Sequence, residues 1–190
     1  MTILYIVLAV AAVILLWIIA IYNGLVRLNN RTKEAWSDID VQLKRRHDLI
    51  PNLVNSVKGY MLHEKTLLEN ITQARSQAMS AQESGNTAEL AKAESALGGM
   101  LGKLQIAVEA YPDLKANQNV AQLIDELSDT ENKIQASRRF YNGNVRDFNT
   151  KMETFPTNTI AGMLKFTKYT FFEVEDKSER ENVEVKLYKY

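Results

Sequence analysis

The sequence predicts an all-α protein: one N-terminal transmembrane helix followed by an antiparallel up-and-down four-helix bundle. Three observations lead there. Residues 3–22, ILYIVLAVAAVILLWIIAIY, carry no charge and no proline. From residue 24 onward, apolar residues recur at helical three-and-four spacing. Short breaks with Pro, Gly or Asn separate those periodic segments, so consecutive helices become antiparallel neighbours.

The apolar run comes first. Twenty helical residues span about 30 Å, the thickness of a hydrocarbon core. Tyr5, Trp17 and Tyr22 lie at or near its ends, where interfacial aromatics sit. A cleaved signal peptide would need a basic start, a shorter apolar run and a small-residue cleavage site. The run has no Lys or Arg before it, whereas Arg27, Arg31 and Lys33 follow it. Residues 1–23 are therefore expected to span the membrane with the N-terminus outside and the rest in the cytoplasm.

The bundle is expected over residues 24–155. Its first helix, about 24–61, carries Trp36, Ile39, Leu43, Ile50, Leu53, Val57 and Tyr60. The second, about 63–84, carries Leu67, Ile71, Ala74, Ala78 and Ala81; ESGNTAE then makes a turn with Thr87 as N-cap. The third, about 88–111, carries Leu90, Leu97, Leu101, Leu104, Val108 and Tyr111. YPDLKANQN breaks it, and a long fourth helix, about 119–154, carries Leu123, Leu127, Ile134, Tyr141, Phe148 and Met152. Residues 156–175 form a membrane-proximal segment, with one short helix and then an extended KYTFFEVE. Residues 176–190 alternate charge without a core face and read as a mobile tail.

QLKRRHDLIPNLV, residues 42–54, breaks the pattern of the first helix. Arg46 falls in the gap of the apolar seam, where a guanidinium must be paired or reach water. Glu126, Asp129 and Glu131 on the fourth helix are candidate partners. A polar seam residue can fix register and partner choice. Pro51 has no N–H, so the His47 carbonyl loses its helical partner, a kink near 47–51 is expected, and the carbonyl needs another donor.

The composition limits the function. Lys plus Arg and Asp plus Glu are both 23, so no basic face marks a nucleic-acid binder. There is no cysteine, hence no disulfide, thiolate metal site or cysteine nucleophile. HEKTL, residues 63–67, begins like a zinc-protease motif, but Leu67 stands where the second His is required. Neither His47 nor His63 completes a Glu-x-x-His pair, since Lys44 and Tyr60 precede them by three. GGMLG, residues 98–102, lacks the strand and the Lys-Ser/Thr of a phosphate loop. SRRFYNGNVRDFN, residues 137–149, mixes arginines with aromatics, but Tyr141 and Phe148 have core spacing. Its Asn142, Asn144 and Asn149 are expected at the helix surface or in interhelical hydrogen bonds.

Two blocks, RTKEAWSDIDVQLKRRHDLIPNLVNSVKGYMLHEKTLLENITQAR and YPDLKANQNVAQLIDELSDTENKIQASRRFYNGNVRDFNTKMETFPTNTIAGM, strongly resemble the LemA family. DLIPNLV, YPDLKA, RRFYN and FPTNTIAG are its most specific parts. The resemblance implies a bacterial single-pass protein of the inner membrane, with a short external N-terminus and a cytoplasmic four-helix bundle. It implies no activity; family gene neighbours often include a membrane zinc metallopeptidase, and some relatives belong to magnetosome membranes.

The expected function is a non-enzymatic membrane scaffold or adaptor that also associates with itself, with no cofactor and no nucleic acid. The alternatives are an accessory of a membrane metallopeptidase, or an enzyme with an unrecognised site in the bundle. Helix lengths place the expected contact zone at the membrane-proximal end, not at the distal tip around Lys58–Lys65. The second helix is too short to return to the membrane, so residues 24–40 and 138–154 form a two-helix stalk. Trp36 lies on that stalk, and Ile160, Met163, Leu164, Phe166, Phe171 and Phe172 lie beside it. Together with Arg46, these are the expected partner or self-association residues; the segment after residue 155 either folds over the stalk, dips into the bilayer interface or packs on another subunit. In intact cells, a tag at residue 190 should stay shielded from external reagents while a tag at residue 2 is labelled; labelling at residue 190 would reverse the orientation.

Overall fold

The computed structural model describes residues 1–173. The extended segment's last two residues and the expected tail at 176–190 lie outside the described residues. All regular structure among the described residues is helical.

The apolar run and the first bundle helix are one uninterrupted helix, α1, Thr2–Val57. Ile3 to Ile19 are mostly exposed large apolar residues. Burial begins at Ile21 and continues through Leu25, Ala35, Ile39, Leu43, Ile50, Leu53 and Val57. This is the seam expected from spacing, except that α1 ends at Val57 and leaves Tyr60 exposed. A 3-10 turn at Leu62–Glu64 leads into α2, Lys65–Ser84. Leu68, not Leu67, is its buried leucine. Gly85 ends α2 in the left-handed conformation (φ 71°), which glycine adopts without a Cβ penalty.

Helix α3 is Thr87–Glu109. Its N-cap is Asn86, not Thr87: the Asn86 side chain accepts from the N–H groups of Ala88 and Glu89. Helix α4 is the single turn Pro112–Lys115, with proline where a missing N–H does no harm. Asn117 then caps α5, Gln118–Glu153, through the N–H groups of Asn119 and Val120. A last short helix, α6, is Thr157–Met163.

The most extensive helix pairs are α1 with α5 and α2 with α3. The core follows this arrangement in three clusters. The distal cluster joins Ile50, Leu53 and Val57 to Ile71, Leu97, Leu104 and Leu127. The middle one joins Ile39 and Leu43 to Leu90, Ile134, Tyr141 and Phe172. The basal one joins Ile21 and Leu25 to Phe148 and Ala161.

The basal half is the two-helix stalk expected from helix lengths, and the segment after residue 155 covers it. Phe172 is buried, edge-on to Trp36 and under the Arg138 guanidinium. Phe166 and Tyr169 meet Phe148 edge-on. The covering chain is held by two asparagines of α5. Asn149 Nδ2 donates to the Tyr169 carbonyl (2.9 Å) and its Oδ1 accepts from the Tyr169 N–H (3.1 Å). Asn142 does the same with Phe172, at 3.2 and 2.9 Å. Seven helical residues rise about 10.5 Å, and three extended residues cover about 10 Å. The two periods match, so each asparagine finds a backbone amide to satisfy. Phe172→Ala should lower unfolding free energy by about 3 kcal/mol or more, whereas Phe171→Ala, at a partly exposed neighbour, should stay within about 1 kcal/mol. Equal effects in chemical denaturation would show that the strap adds no core.

Candidate functional site

The charged residue in the α1 seam organises the centre of the bundle. Arg46 is 2% exposed and its guanidinium bonds two carboxylates, Glu94 of α3 and Glu131 of α5. Its Nη2 also donates to the Glu94 carbonyl (3.2 Å). Buried His47, the next residue, places Nε2 2.7 Å from Glu94 Oε1. A carboxylate only accepts, so the ionised Glu94 fixes this nitrogen as the N–H donor.

Pro51 brings α2 into the layer. The His47 carbonyl, which has no i+4 N–H to receive, accepts from Arg75 Nε of α2 at 2.6 Å. Helices α1, α2, α3 and α5 thus meet in one polar layer. Helix α1 continues through Pro51 without a break.

The layer's electrostatics favour ionised Glu94. Burial pushes its carboxyl pKa up, but the His47 hydrogen bond and the charge and hydrogen bonds of Arg46 together outweigh burial. The net result is a pKa below the ordinary value of 4.5. Elsewhere, burial and the neighbouring Tyr169 raise the Tyr141 phenol to about 12, and its hydroxyl donates to the Thr170 carbonyl (3.0 Å).

Of the carboxylates expected to face Arg46, only Glu131 does. Glu126 and Asp129 stand 3.9 Å from the half-exposed Arg45 instead. Glu94 was not among the sequence candidates, although a signal for it exists. Leu90 and Leu97 are seven apart, and Glu94 fills the seam position between them. Glu131 stands likewise between Leu127 and Ile134.

The expected contact residues separate into two groups. Arg46 and Phe172 are buried, and Trp36, Ile160 and Phe166 are partly buried in the core clusters, so these face the chain's own interior. Of the three courses open to the segment after residue 155, it takes the first: the strap folds over the stalk flanks. Met163 (79% exposed), Leu164 and Phe171 remain accessible, and so does Phe155. The Asn142 and Asn149 amides serve the strap, not another helix, and Asn144 bonds within α5.

Both seams between the two close-packed pairs hold grooves. The α1/α2 groove, about 710 Å³, is lined by Val54, Met61, Leu62, Leu68 and Thr72. The α3/α5 groove, about 360 Å³, is lined by Gly98, Leu101, Gly102, Ile124 and Leu127, with Arg46 at its edge. Among the described residues, no three His, Asp or Glu side chains converge as metal ligands.

The LemA family model matches residues 35–187. The chain belongs to the LemA family. It is similar to Protein LemA of Metamycoplasma hominis, with 34% identity over 163 residues, 86% of this chain and 72% of that one. It is also similar to Magnetosome protein MamQ 2 of Paramagnetospirillum magneticum, with 22% identity over 80% of this chain. Magnetosome protein MamQ of Magnetospirillum gryphiswaldense shares 21% identity, again over 80% of this chain. This chain spans 64% of the length of each of these magnetosome proteins. The family match contains the whole polar layer and both asparagines of the strap, and starts after the apolar run.

Arg46→Leu should destabilise this LemA protein by about 3–5 kcal/mol, because Glu94 keeps its charge inside the bundle without its main partner. Arg45→Leu should cost less than about 1 kcal/mol, as exposed pairs do. Because the folded Glu94 pKa is depressed, its stabilisation is present above pH 4.5 and is lost as pH falls through the folded value. Glu94→Gln should flatten the acid limb of stability against pH; an unchanged limb would remove Glu94 from its cause.

Proposed function

We propose that this LemA-family protein is a membrane-anchored, non-enzymatic scaffold that works through helical contacts, including contacts between copies of itself. The apolar run of α1 is long and apolar enough to cross a bilayer. Basic residues follow it at Arg27, Arg31 and Lys33, which supports an inner-membrane protein with its bundle in the cytoplasm.

The observation that carries this reading is the closure of the polar layer. Catalytic acids, bases and ligands are aimed at a space where a substrate can sit. Here the guanidinium, imidazole and Glu94 carboxylate are almost fully buried and direct their hydrogen bonds at one another, although Arg46, Glu94 and Glu131 also border a cavity of about 330 Å³. Their chemistry joins helices.

The grooves along the α1/α2 and α3/α5 seams are the surfaces a scaffold would present. Gly98 and Gly102 lower the wall of the second, and small residues let another helix approach closely. Leu62, 74% exposed, stands at the rim of the first. Photocrosslinkers at Leu62 and Leu101 in native membranes should capture a second copy or another protein. The exposed position Lys92 should not. Capture no better than at Lys92 would argue against these seams as contact surfaces. Stoichiometric zinc or iron held by the purified protein would overturn the non-enzymatic reading.

A further inference from the structure

We infer that the base of the bundle makes a second contact with lipid, through Phe155, Met163 and Leu164, and so fixes the bundle's tilt on the membrane that α1 crosses. The inference rests on the anchoring reading above. Three structural facts carry it.

The first is level. Because α1 is unbroken from Thr2 to Val57, each of its residues has a set height above the apolar run. Ala161 of α6 packs with Ile21 and Leu25, and Ile160 packs against the same cluster. Ile21 and Leu25 straddle Tyr22, the end of the run, and lie about 6 Å apart along the helix axis. Helix α6 therefore stands beside the last turn of the bilayer span. Interfacial segments lie within about 5–10 Å of the boundary between headgroups and acyl chains.

The second is exposure. Strap and stalk bury Phe172 and partly bury Phe166 and Tyr169, yet Phe155 and Met163 are each 79% exposed and Leu164 is 47% exposed. Within residues 155–172 these three, which bracket α6, are the most exposed large apolar side chains, ahead of Phe171 at 39%. In water they would form an apolar rim around the foot of the bundle.

The third is charge. No Asp or Glu occurs between Thr154 and Phe172, whereas Lys165 and Lys168 do. Lys168 is paired with Glu153 (2.7 Å). Among the described residues Lys165, like Arg27 and Arg31 of α1, has no carboxylate within ion-pair distance. An apolar tip with Lys165, Arg27 and Arg31 near its level suits an interface with anionic headgroups. With the apolar run inserted, the bilayer interface stands at that height in every copy, because span and bundle share one unbroken helix.

The absence of cysteine makes the test direct. Full-length protein in nanodiscs of phosphatidylcholine and phosphatidylglycerol would carry one polarity-sensitive fluorophore, on Ala12→Cys, Met163→Cys or Ile106→Cys. Lipids with a doxyl quencher near the headgroup should quench the Met163 position at least about threefold more than the distal Ile106 position. Deep doxyl lipids should quench Ala12 and affect Met163 less. Quenched Ala12 with Met163 no different from Ile106 would overturn the lipid contact and leave the anchor standing. A blue-shifted but unquenched Met163 label would place a second copy there and also overturn it. Unquenched Ala12 would remove the anchor itself, and the inference with it.

Discussion

A guanidinium inside a helix bundle dictates much of what surrounds it. Arg46 cannot leave, because its helix position points inward, and it cannot remain unpaired at 2% exposure. Glu94 and Glu131 answer it from two other helices, and His47 supplies Glu94 with a further donor. Removing two ions from water costs several kcal/mol each, so a layer of this kind is poor evidence for extra stability. Its effect is on specificity. An apolar seam tolerates slips of a helix along its neighbour, but Glu94 must stand opposite Arg46. Pro51 extends the same constraint to α2, since Arg75 is drawn to the carbonyl that the proline frees.

Fixed register at the middle has consequences at both ends. Toward the tip, α2 and α3 close over the distal core, while their seams with α1 and α5 stay grooved. Toward the base, α2 and α3 have ended and α1 and α5 continue alone. The strap is the answer to that shortage of helices. Residues 166–172 supply Phe166, Tyr169 and Phe172 as the third wall, and the amides of Asn142 and Asn149 satisfy the backbone that does so. The scaffold role and the lipid contact proposed above would thereby fall on separate regions: grooves in the distal half, an apolar rim at the foot.

Helices were legible in the sequence because their apolar spacing is strong, and their order because the breaks are short. Boundaries were less so. Asn86 and Thr87 are both good caps, and only backbone geometry decides for Asn86. Arg46 stood out as an exception to its seam, but its main partner did not. Glu94 fills a gap in α3 just as Arg46 does in α1, and matching one interruption with another requires knowing which helices face each other. The strap was one of three courses open to the segment after residue 155, and what selects it was not legible. Its contacts run from side chain to backbone over 20 to 30 residues, and apolar periodicity carries no trace of such bonds. Exposed Phe155 and Met163 differ from partly buried Phe166 and buried Phe172 only through the path of the chain.

The central claim is that Arg46 and Glu94 act as one unit that sets the bundle's register. A double-mutant cycle over Arg46→Leu and Glu94→Leu, read by equilibrium unfolding, measures it most directly. The account predicts non-additivity of about 2 kcal/mol or more, with the double variant recovering much of the loss of either single one. Additivity within about 0.5 kcal/mol would contradict it.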